Sequence, residues 1–503
     1  MATLSGCPPE PASAPRPPER PPLAPAPQPP PPPAEPAPAP APAAADEVQG
    51  WVGLVYGPAS PLAPAGATIV VRSVVPGSPA AEAGLEPGEG ISRIEGKEAP
   101  GPDYLQGVLD ARRPGDALRL QVVSADGSRR EVTLKVVAFD PDVLVPQALI
   151  KGAASLVGRQ ADGGWTRKGS EELGADVALG ALCVRALAEL PAGLRQAHAA
   201  AIDSGVAALL RHLTEEGAIV GAPDRVHHRT YASTLTLQAL SRLGGHEEAA
   251  QALRRFLVAA QLDEDDDISE YDFARFGAWN YFDQNRPATI RADVSATAYA
   301  AQALALAGLA PGSKTAAQAV TFLERTQNLP RPDAPEEEQA LLDGGFGFAP
   351  RDSKAGRRVF PSGRIVFRSY GSATADGLRA LLWFGVAPDD PRVGQAVGWL
   401  GRNFSLRVNP GFPPGNDGVL ERGIFYYYLD ALTDALTRAG VETLTAADGE
   451  AIRWRHEVTR RLVSLQRLDG SWAGDIAVMN EDDPSQATAF ALLSLVRCAE
   501  RRR

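Results

Sequence analysis

Six apolar helical segments recur along the chain: ADVALGALCVRALAEL, TYASTLTLQALSRLGG, DVSATAYAAQALALAG, YGSATADGLRALLWFG, IFYYYLDALTDALTRAG and SQATAFALLSLVRCAE. They begin near residues 175, 230, 293, 370, 424 and 485, a loose period of roughly 55 to 75 residues. Each is preceded by a more amphipathic helix, such as VGQAVGWLGRNF or HEVTRRLVSLQ. A helix that is apolar all round must be covered all round, whereas one apolar stripe leaves the other face for water. Two helices per repeat, one of each kind, suit a double ring over residues 145–500 with the apolar helices inside.

A second signature stands at the joints between repeats. Gln466-Arg467-Leu468-Asp469-Gly470-Ser471-Trp472 is a full Q-x-x-D-G-S-W, and Gln160-Ala161-Asp162-Gly163-Gly164-Trp165 is the same pattern one residue short. Gln327 with Asp343-Gly344-Gly345-Phe346, and Gln261 with Gly277-Ala278-Trp279, are copies opened by insertions. These resemble the Q–W joints of the squalene–hopene cyclase and protein prenyltransferase superfamily, in which Gln and Trp tie an outer helix to the next turn. The stretch SYGSATADGLRALLWFGVAPDDPRVGQAVGWL, followed by NPG and FYYY, is similar to the bacterial prenyltransferase and squalene oxidase repeat members of that superfamily. The resemblance implies an all-α (α/α)6 toroid.

Residues 48–140 have another texture: short alternating apolar runs broken by turn residues. Strands are predicted at 51–56, 67–74, 90–94, 117–123 and 130–137, short helices at 79–84 and 103–111, and a hairpin turn at Asp126-Gly127. Pro76-Gly77-Ser78-Pro79-Ala80, Ala83-Gly84-Leu85, Pro87-Gly88, Gly96 and RRPGDALRL together resemble a bacterial PDZ domain, a small α+β fold. The resemblance implies capture of a peptide or protein C-terminus by strand addition. The carboxylate-binding loop would be Trp51, Val52, Gly53 and Leu54, and the groove helix would offer Leu105 and Val108. The competing expectation is a domain that only packs on its neighbour.

Ahead of both domains, residues 1–47 are rich in Pro and Ala, with 19 of the 45 prolines in the first 42 residues. Such a segment cannot bury a core and is expected to be a disordered, extended tether. Within it Leu4-Ser5-Gly6-Cys7 resembles a bacterial lipobox, which implies lipidation at Cys7, although only Met-Ala-Thr precedes it. The expected location is the cell envelope or periplasm if a start lies upstream, and the cytoplasm otherwise. A lipid anchor is then the only membrane contact expected, since no apolar run is long enough to span a bilayer. A net charge of −11 argues against nucleic acid as a partner. Cys7, Cys183 and Cys498 form no metal spacing, and the last two sit in apolar helical contexts as inert thiols.

Each chemistry of the superfamily must be found at its own residues. Class II cyclases protonate a polyene with D-x-D-D-T-A at the start of an inner helix. The matching helix here reads Asp293-Val294-Ser295-Ala296-Thr297-Ala298. The frame remains, but Ser295 replaces the middle acid, and a serine hydroxyl is too weak to protonate an alkene. Asp263-Glu264-Asp265-Asp266 also spells D-x-D-D, but it lies inside an opened Q–W joint and is expected to be a solvated loop. It has neither the Gly nor the closing Glu of an EF-hand. The zinc site of prenyltransferases fails too: no Asp-x-Cys occurs, and the pair His227-His228 has no nearby Cys. No metal and no cofactor are therefore expected.

What remains at the inner-helix starts is polar and aromatic: Tyr231, Asp293, Ser295, Tyr299, Tyr370, Ser372, Thr374, Tyr426, Tyr427 and Asp483. His228 and Asp293 form an acid–base pair if the ring brings them together. The plainer expectation is helix capping by Asp293 and Ser372 with aromatic packing. Arg364 to Arg368 fall near the same rim. The chain is thus expected to be multidomain: a tether, a PDZ domain and a toroid. Its expected role is a binding or scaffold protein with an apolar small molecule in the toroid, rather than an active cyclase or prenyltransferase. The alternatives are a terpenoid- or isoprenoid-processing enzyme acting in the cavity, and a purely structural envelope protein.

Overall fold

Short alternating runs build the N-terminal part of the computed structural model, which describes residues 50–500 apart from 62, 76, 222–227, 265–267, 282–291 and 414–417. The 1–47 segment with Cys7, together with Pro76, His227 and Asp265 to Asp267, lies outside the described residues. The order is β1 (Gly50–Trp51), β2 (Leu54–Pro58), β3 (Ile69–Val74), α1 (Pro79–Glu82), β4 (Gly90–Ile94) and β5 (Lys97–Glu98). Then come α2 (Pro102–Asp110), β6 (Ala117–Val123), β7 (Arg129–Lys135) and β8 (Val137–Ala138). The antiparallel sheet runs β2-β3-β4-β6-β7 with β5 on β4, while β1 pairs with β8.

The strand predicted at 51–56 is broken in two. Gly53 takes φ +74, a conformation that suits glycine, and a Cβ there would lie 2.1 Å from that of Ser78. Its carbonyl accepts from Val75 N–H, and that of Val52 accepts from Ala80 N–H. The chain therefore turns at this point before β2 begins.

The helical part follows with α3 (Pro141–Val157), α4 (Val177–Glu189), α5 (Ala192–Ala197), α6 (Ala199–Leu210), α7 (Arg229–Leu243) and α8 (Glu247–Ala259). Next are α9 (Val294–Leu306), α10 (Lys314–Thr326), α11 (Glu336–Gln339) and the hairpin β9 (Arg357–Val359) with β10 (Ile365–Phe367). The chain ends with α12 (Gly371–Trp383), α13 (Pro391–Arg402), α14 (Val419–Gly423), α15 (Phe425–Ala439), β11 (Leu444–Thr445), β12 (Ala451–Ile452), α16 (Trp454–Leu465) and α17 (Pro484–Ala499). Helices α4, α7, α9, α12, α15 and α17 each pack on the next, and α17 packs back on α4, so six helices close a ring. Each has a second, partly exposed helix outside it (α3, α6, α8, α10, α13 and α16), which gives an α/α toroid of six pairs. Burial follows the composition: every residue from Val294 to Leu304 of α9 is buried, whereas α8 buries only Leu253 and Leu257.

The joints hold the two layers in register. In each, the Gln amide nitrogen donates to the joint's own glycine carbonyl and to a carbonyl of the next outer helix. Gln160 reaches Ala201, Gln261 reaches Thr315, Gln327 reaches Arg392, and Gln466 closes the circle on Ala148, each at 2.9 Å. Glycines 163, 277, 344 and 470 all have φ between +81 and +88, and three residues beyond each Gln acceptor the outer helix backs directly onto them. The indoles of Trp165, Trp279 and Trp472 donate to Leu156, Leu257 and Leu462 carbonyls. A further joint carries neither Gln nor Trp: Gly217, φ +87, sits on the Ala252 carbonyl, and Ile219 N–H donates to Ser233.

The sheet domain and the ring belong to one compact unit. Ser73 donates to the Gln466 carbonyl at 3.3 Å, and Arg72 pairs with Asp475 at 3.1 Å. Trp51 packs edge-on against Phe139, and Phe139 against His456 of α16.

Candidate functional site

The inner helices begin at one mouth of the ring, and their first turns set the geometry there. Asp293 caps α9: its Oδ1 accepts from the N–H groups of Ser295 at 2.9 Å and Ala296 at 2.8 Å. The cap turns the Ser295 hydroxyl towards two tyrosines. Its Oγ lies 2.5 Å from the Tyr281 hydroxyl and 2.5 Å from that of Tyr427, at the start of α15. Tyr427 in turn donates to Asp376 Oδ2 at 2.6 Å, and Arg379 holds the other oxygen of Asp376 at 2.7 Å. The ring of Tyr299 lies under the Arg379 guanidinium, 5.0 Å from its centroid, and Tyr231 meets Tyr299 edge-on.

Burial sets the protonation chemistry of this mouth. Asp293 is raised to about 7, chiefly because burial disfavours its charge; the Ala296 and Ser295 N–H groups and Lys354 oppose this, and Asp376 adds to it. Burial also pushes Asp376 up, against the pull of Arg379 and Tyr427. Lys354, with its ammonium over the Phe348 ring, is lowered by burial against the attraction of Asp293 and Asp376. Burial raises Tyr231 to about 12 and moves Tyr281, Tyr299 and Tyr427 in the same direction.

Below the mouth a second network crosses the axis. Asp430 faces Arg497 at 2.5 Å, Arg379 at 3.6 Å and Arg185 at 3.8 Å. Asp434 lies 3.6 Å from Arg497 and 3.7 Å from Arg379. Arg185 also donates to Gln302 at 3.2 Å, and Gln238 donates to the Tyr299 carbonyl at 3.0 Å. Every inner helix thus contributes a polar side chain. Three guanidiniums balance the three carboxylates of Asp376, Asp430 and Asp434. Burial alone would raise Asp430, but Arg497, Arg185 and Arg379 outweigh it and hold it below the ordinary range.

The residues singled out from the sequence divide in two. Tyr231, Asp293, Ser295, Tyr299 and Tyr427 come together at the mouth. Asp293 is bonded to backbone N–H groups rather than to His228, whose ring meets Tyr281 edge-on at 6.3 Å. Tyr370, not Ser372, is the cap residue of α12; Ser372 is bonded twice to Asn409, and Tyr370 packs on Phe412. Thr374 belongs to the third joint, accepting from Phe346 N–H. Tyr426 packs against Phe425, and Asp483 caps α17 while accepting from Lys168 N–H. Arg364 pairs with Glu338 at 3.0 Å. Asp263 and Glu264 face Lys314 of α10, at 3.6 and 3.2 Å.

In the sheet domain, Val52, Leu54 and Leu105 are core residues, Val108 is half-buried, and Trp51 packs towards the ring. Tyr56 on β2 donates to Gln106 on α2 at 3.0 Å, and Arg407 pairs with Asp103 at 3.0 Å. Tyr281, Lys354, Asp376, Arg379, Asp430, Arg185 and Arg497 were not anticipated. Five of them carried a usable signal, because Arg185, Asp376, Arg379, Asp430 and Arg497 are charges inside helices that are otherwise apolar all round.

The class defined so far is an α/α toroid of six helix pairs with an α+β sheet domain docked on it. No protein-family model and no curated protein matches the chain. Among solved structures it is similar to the type II terpene cyclase MstE from Scytonema, at 16% identity and a TM-score of 0.43, over 71% of this chain and 97% of that one. It is similar to a protein from Actinoplanes at 17% identity and a TM-score of 0.42, over 71% and 100%. It is also similar to the serine endoprotease from Yersinia pestis at 23% identity and a TM-score of 0.16, over 19% of this chain. The chain spans only 30% of that protease's length.

Proposed function

We propose that this chain is a binding protein in which a PDZ-type peptide-binding domain and a non-cyclising toroid act as one unit. The observation that carries the proposal is the position of Ser295. At the helix start where a cyclase needs a carboxylic acid, a serine hydroxyl is engaged by Tyr281 and Tyr427. The ion network below supports it, since a cyclising chamber needs apolar walls around a hydrocarbon. The same walls favour a hydrogen-bonding guest over the apolar one expected from the sequence. Incubation with squalene and with shorter prenyl diphosphates, followed by mass spectrometry, is expected to return no cyclic product; a cyclic product overturns the proposal.

For the sheet domain, the support is the edge position of β2, which among the described residues pairs with β3 alone and is flanked by α2, with α16 also against it. Peptides with free C-terminal carboxylates are expected to bind and their C-terminal amides to lose most of that affinity. Lipidation at Cys7, and the envelope location that goes with it, rest on the Leu4–Cys7 motif and are tested by labelling with a palmitate analogue from the full reading frame.

A second reading is favoured by Asp293, whose carboxyl is poised near neutrality beside Lys354. Buried titratable groups of opposite sign at a ring mouth suit acid–base chemistry on a ligand held there.

A further inference from the structure

The hydroxyls at the mouth have a single consistent direction. Tyr427 spends its only proton on Asp376, so the bond between Ser295 and Tyr427 must be donated by Ser295. Ser295 then has no proton left for Tyr281, and Tyr281 must donate to it. All three protons point inward to the carboxylate that Arg379 anchors. Tyr281 is the outermost member. The residue is half-buried, and its ring lies edge-on to those of His228 and Tyr231. Among the described residues no other group bonds that oxygen.

We propose that the ring mouth is a proton-relay site for a small molecule with an acidic hydroxyl, phenolic or enolic, received by Tyr281 and deprotonated through Ser295 and Tyr427 by Asp376. The proton of the guest passes to Tyr281, that of Tyr281 to Ser295, that of Ser295 to Tyr427, and that of Tyr427 to Asp376 Oδ2. No heavy-atom bond forms or breaks. The negative charge moves from Asp376 to the guest oxygen, which keeps the electron pair. The guest must be an acidic hydroxyl because the terminal base is only a carboxylate, and an ordinary alcohol lies far above its reach.

The charged groups around the relay are compatible with this transfer. Arg379 stays beside Asp376 from the same helix, and α15 contributes Asp430 and Asp434, each matched by a guanidinium. On α9, Asp293 faces the mouth, opposed by Lys354. From α4 Arg185 is engaged with Asp430, and α7 brings the phenol of Tyr231. The proposal rests on the ring interior being a ligand site, the toroid half of the function proposed above.

The probe is 4-nitrophenol, whose phenolate absorbs visible light, titrated into the full chain below the probe's own pKa. Wild type is expected to bind it and to ionise it more than the free probe at the same pH. Tyr427→Phe cuts the relay in the middle while leaving the Asp376–Arg379 pair, and it is expected to lower ionisation of the bound probe about tenfold, one unit of proton affinity. Ser295→Ala is expected to do the same, and 4-nitroanisole, which has no hydroxyl, to bind without spectral change. Circular dichroism confirms that both variants are folded. Failure of wild type to bind the probe, or equal ionisation in wild type and Tyr427→Phe, overturns the relay. Neither result bears on cyclisation, and a cyclic terpene product would refute the non-cyclising reading without touching the relay.

Discussion

Two polar networks meet at Arg379 on the ring axis. In the deeper one, charge is answered by charge: Arg185, Arg497 and Arg379 surround Asp430 and Asp434, and none of these side chains has more than 9% exposure. In the upper one, hydroxyl is answered by hydroxyl, and Tyr281 and Tyr427 are half-buried. The same ring thus carries a sealed lattice and an open one. A buried ion lattice adds little net stability but penalises any loss of a partner, so it fixes which helices sit together. A partly buried hydroxyl chain leaves an end for a guest.

The largest expected effect tests the sealed half. Asp430→Leu leaves Arg185, Arg379 and Arg497 without their shared counter-charge in a buried site. A loss of about 3–5 kcal/mol is expected in urea unfolding at unchanged m-value. A loss below about 1 kcal/mol would show that the lattice is ornamental and dissolve the contrast.

The pH dependence separates the two networks by sign. Asp430 is held below its ordinary value, so its stabilisation is present above the unfolded pKa near 4 and is lost as pH falls through the folded value. Asp293 is raised to about 7, so its stabilisation is complete below about pH 4 and is lost as pH rises through about 7. Three units correspond to at most ~4 kcal/mol. Asp293→Asn keeps the cap acceptor and is expected to remove that decline between pH 4 and 7, with a higher melting temperature at pH 8. An unchanged slope would mean that Asp293 is ionised at neutrality, in the manner of Asp430.

A smaller effect is expected at the joints, which belong to neither network. A Cβ at Gly277 would lie 2.0 Å from the Gln318 carbonyl, and its φ of +88 adds strain. Gly277→Ala is expected to cost about 2–3 kcal/mol by separating α10 from its neighbour. A neutral result would show that the insertion has freed that joint from the ring.

The joints were the legible part of this molecule because their chemistry is local and repeated: Gln, Gly and Trp at a short spacing serve the same contacts each time. The joint at Gly217 was missed because Ile219 and Ser233 do the same work without either marker residue. The axis was much less legible. Ser295 and Tyr427 are 132 residues apart, and Asp376 and Tyr427 are 51 apart. Only closure of the ring brings them together, so no spacing could announce the relay. Arg185, Asp376 and Asp430 were visible as charges in apolar helices, but their partners depend on the rotation of each helix. The frame around Asp293 pointed to the right helix start, and what that frame predicted was an absence rather than the hydroxyls that fill it.

The smallest expected effect lies in the open network, and there its smallness is the point. Tyr427→Phe removes one hydroxyl, yet Asp376 keeps both contacts from Arg379, and Ser295 keeps Tyr281. The aromatic ring still packs against Tyr299 and Phe490. A loss of about 1–2 kcal/mol is expected, because Arg379 still holds Asp376 Oδ1 while Oδ2 gives up its hydrogen bond from Tyr427. Urea unfolding of Tyr427→Phe, Asp430→Leu and the double variant reads the coupling directly. Independent networks give additive losses within about 0.5 kcal/mol, whereas a coupling above about 1 kcal/mol would make them one structure joined through Arg379. In that case a guest that moves a proton at the mouth would also shift the balance of the lattice beneath it.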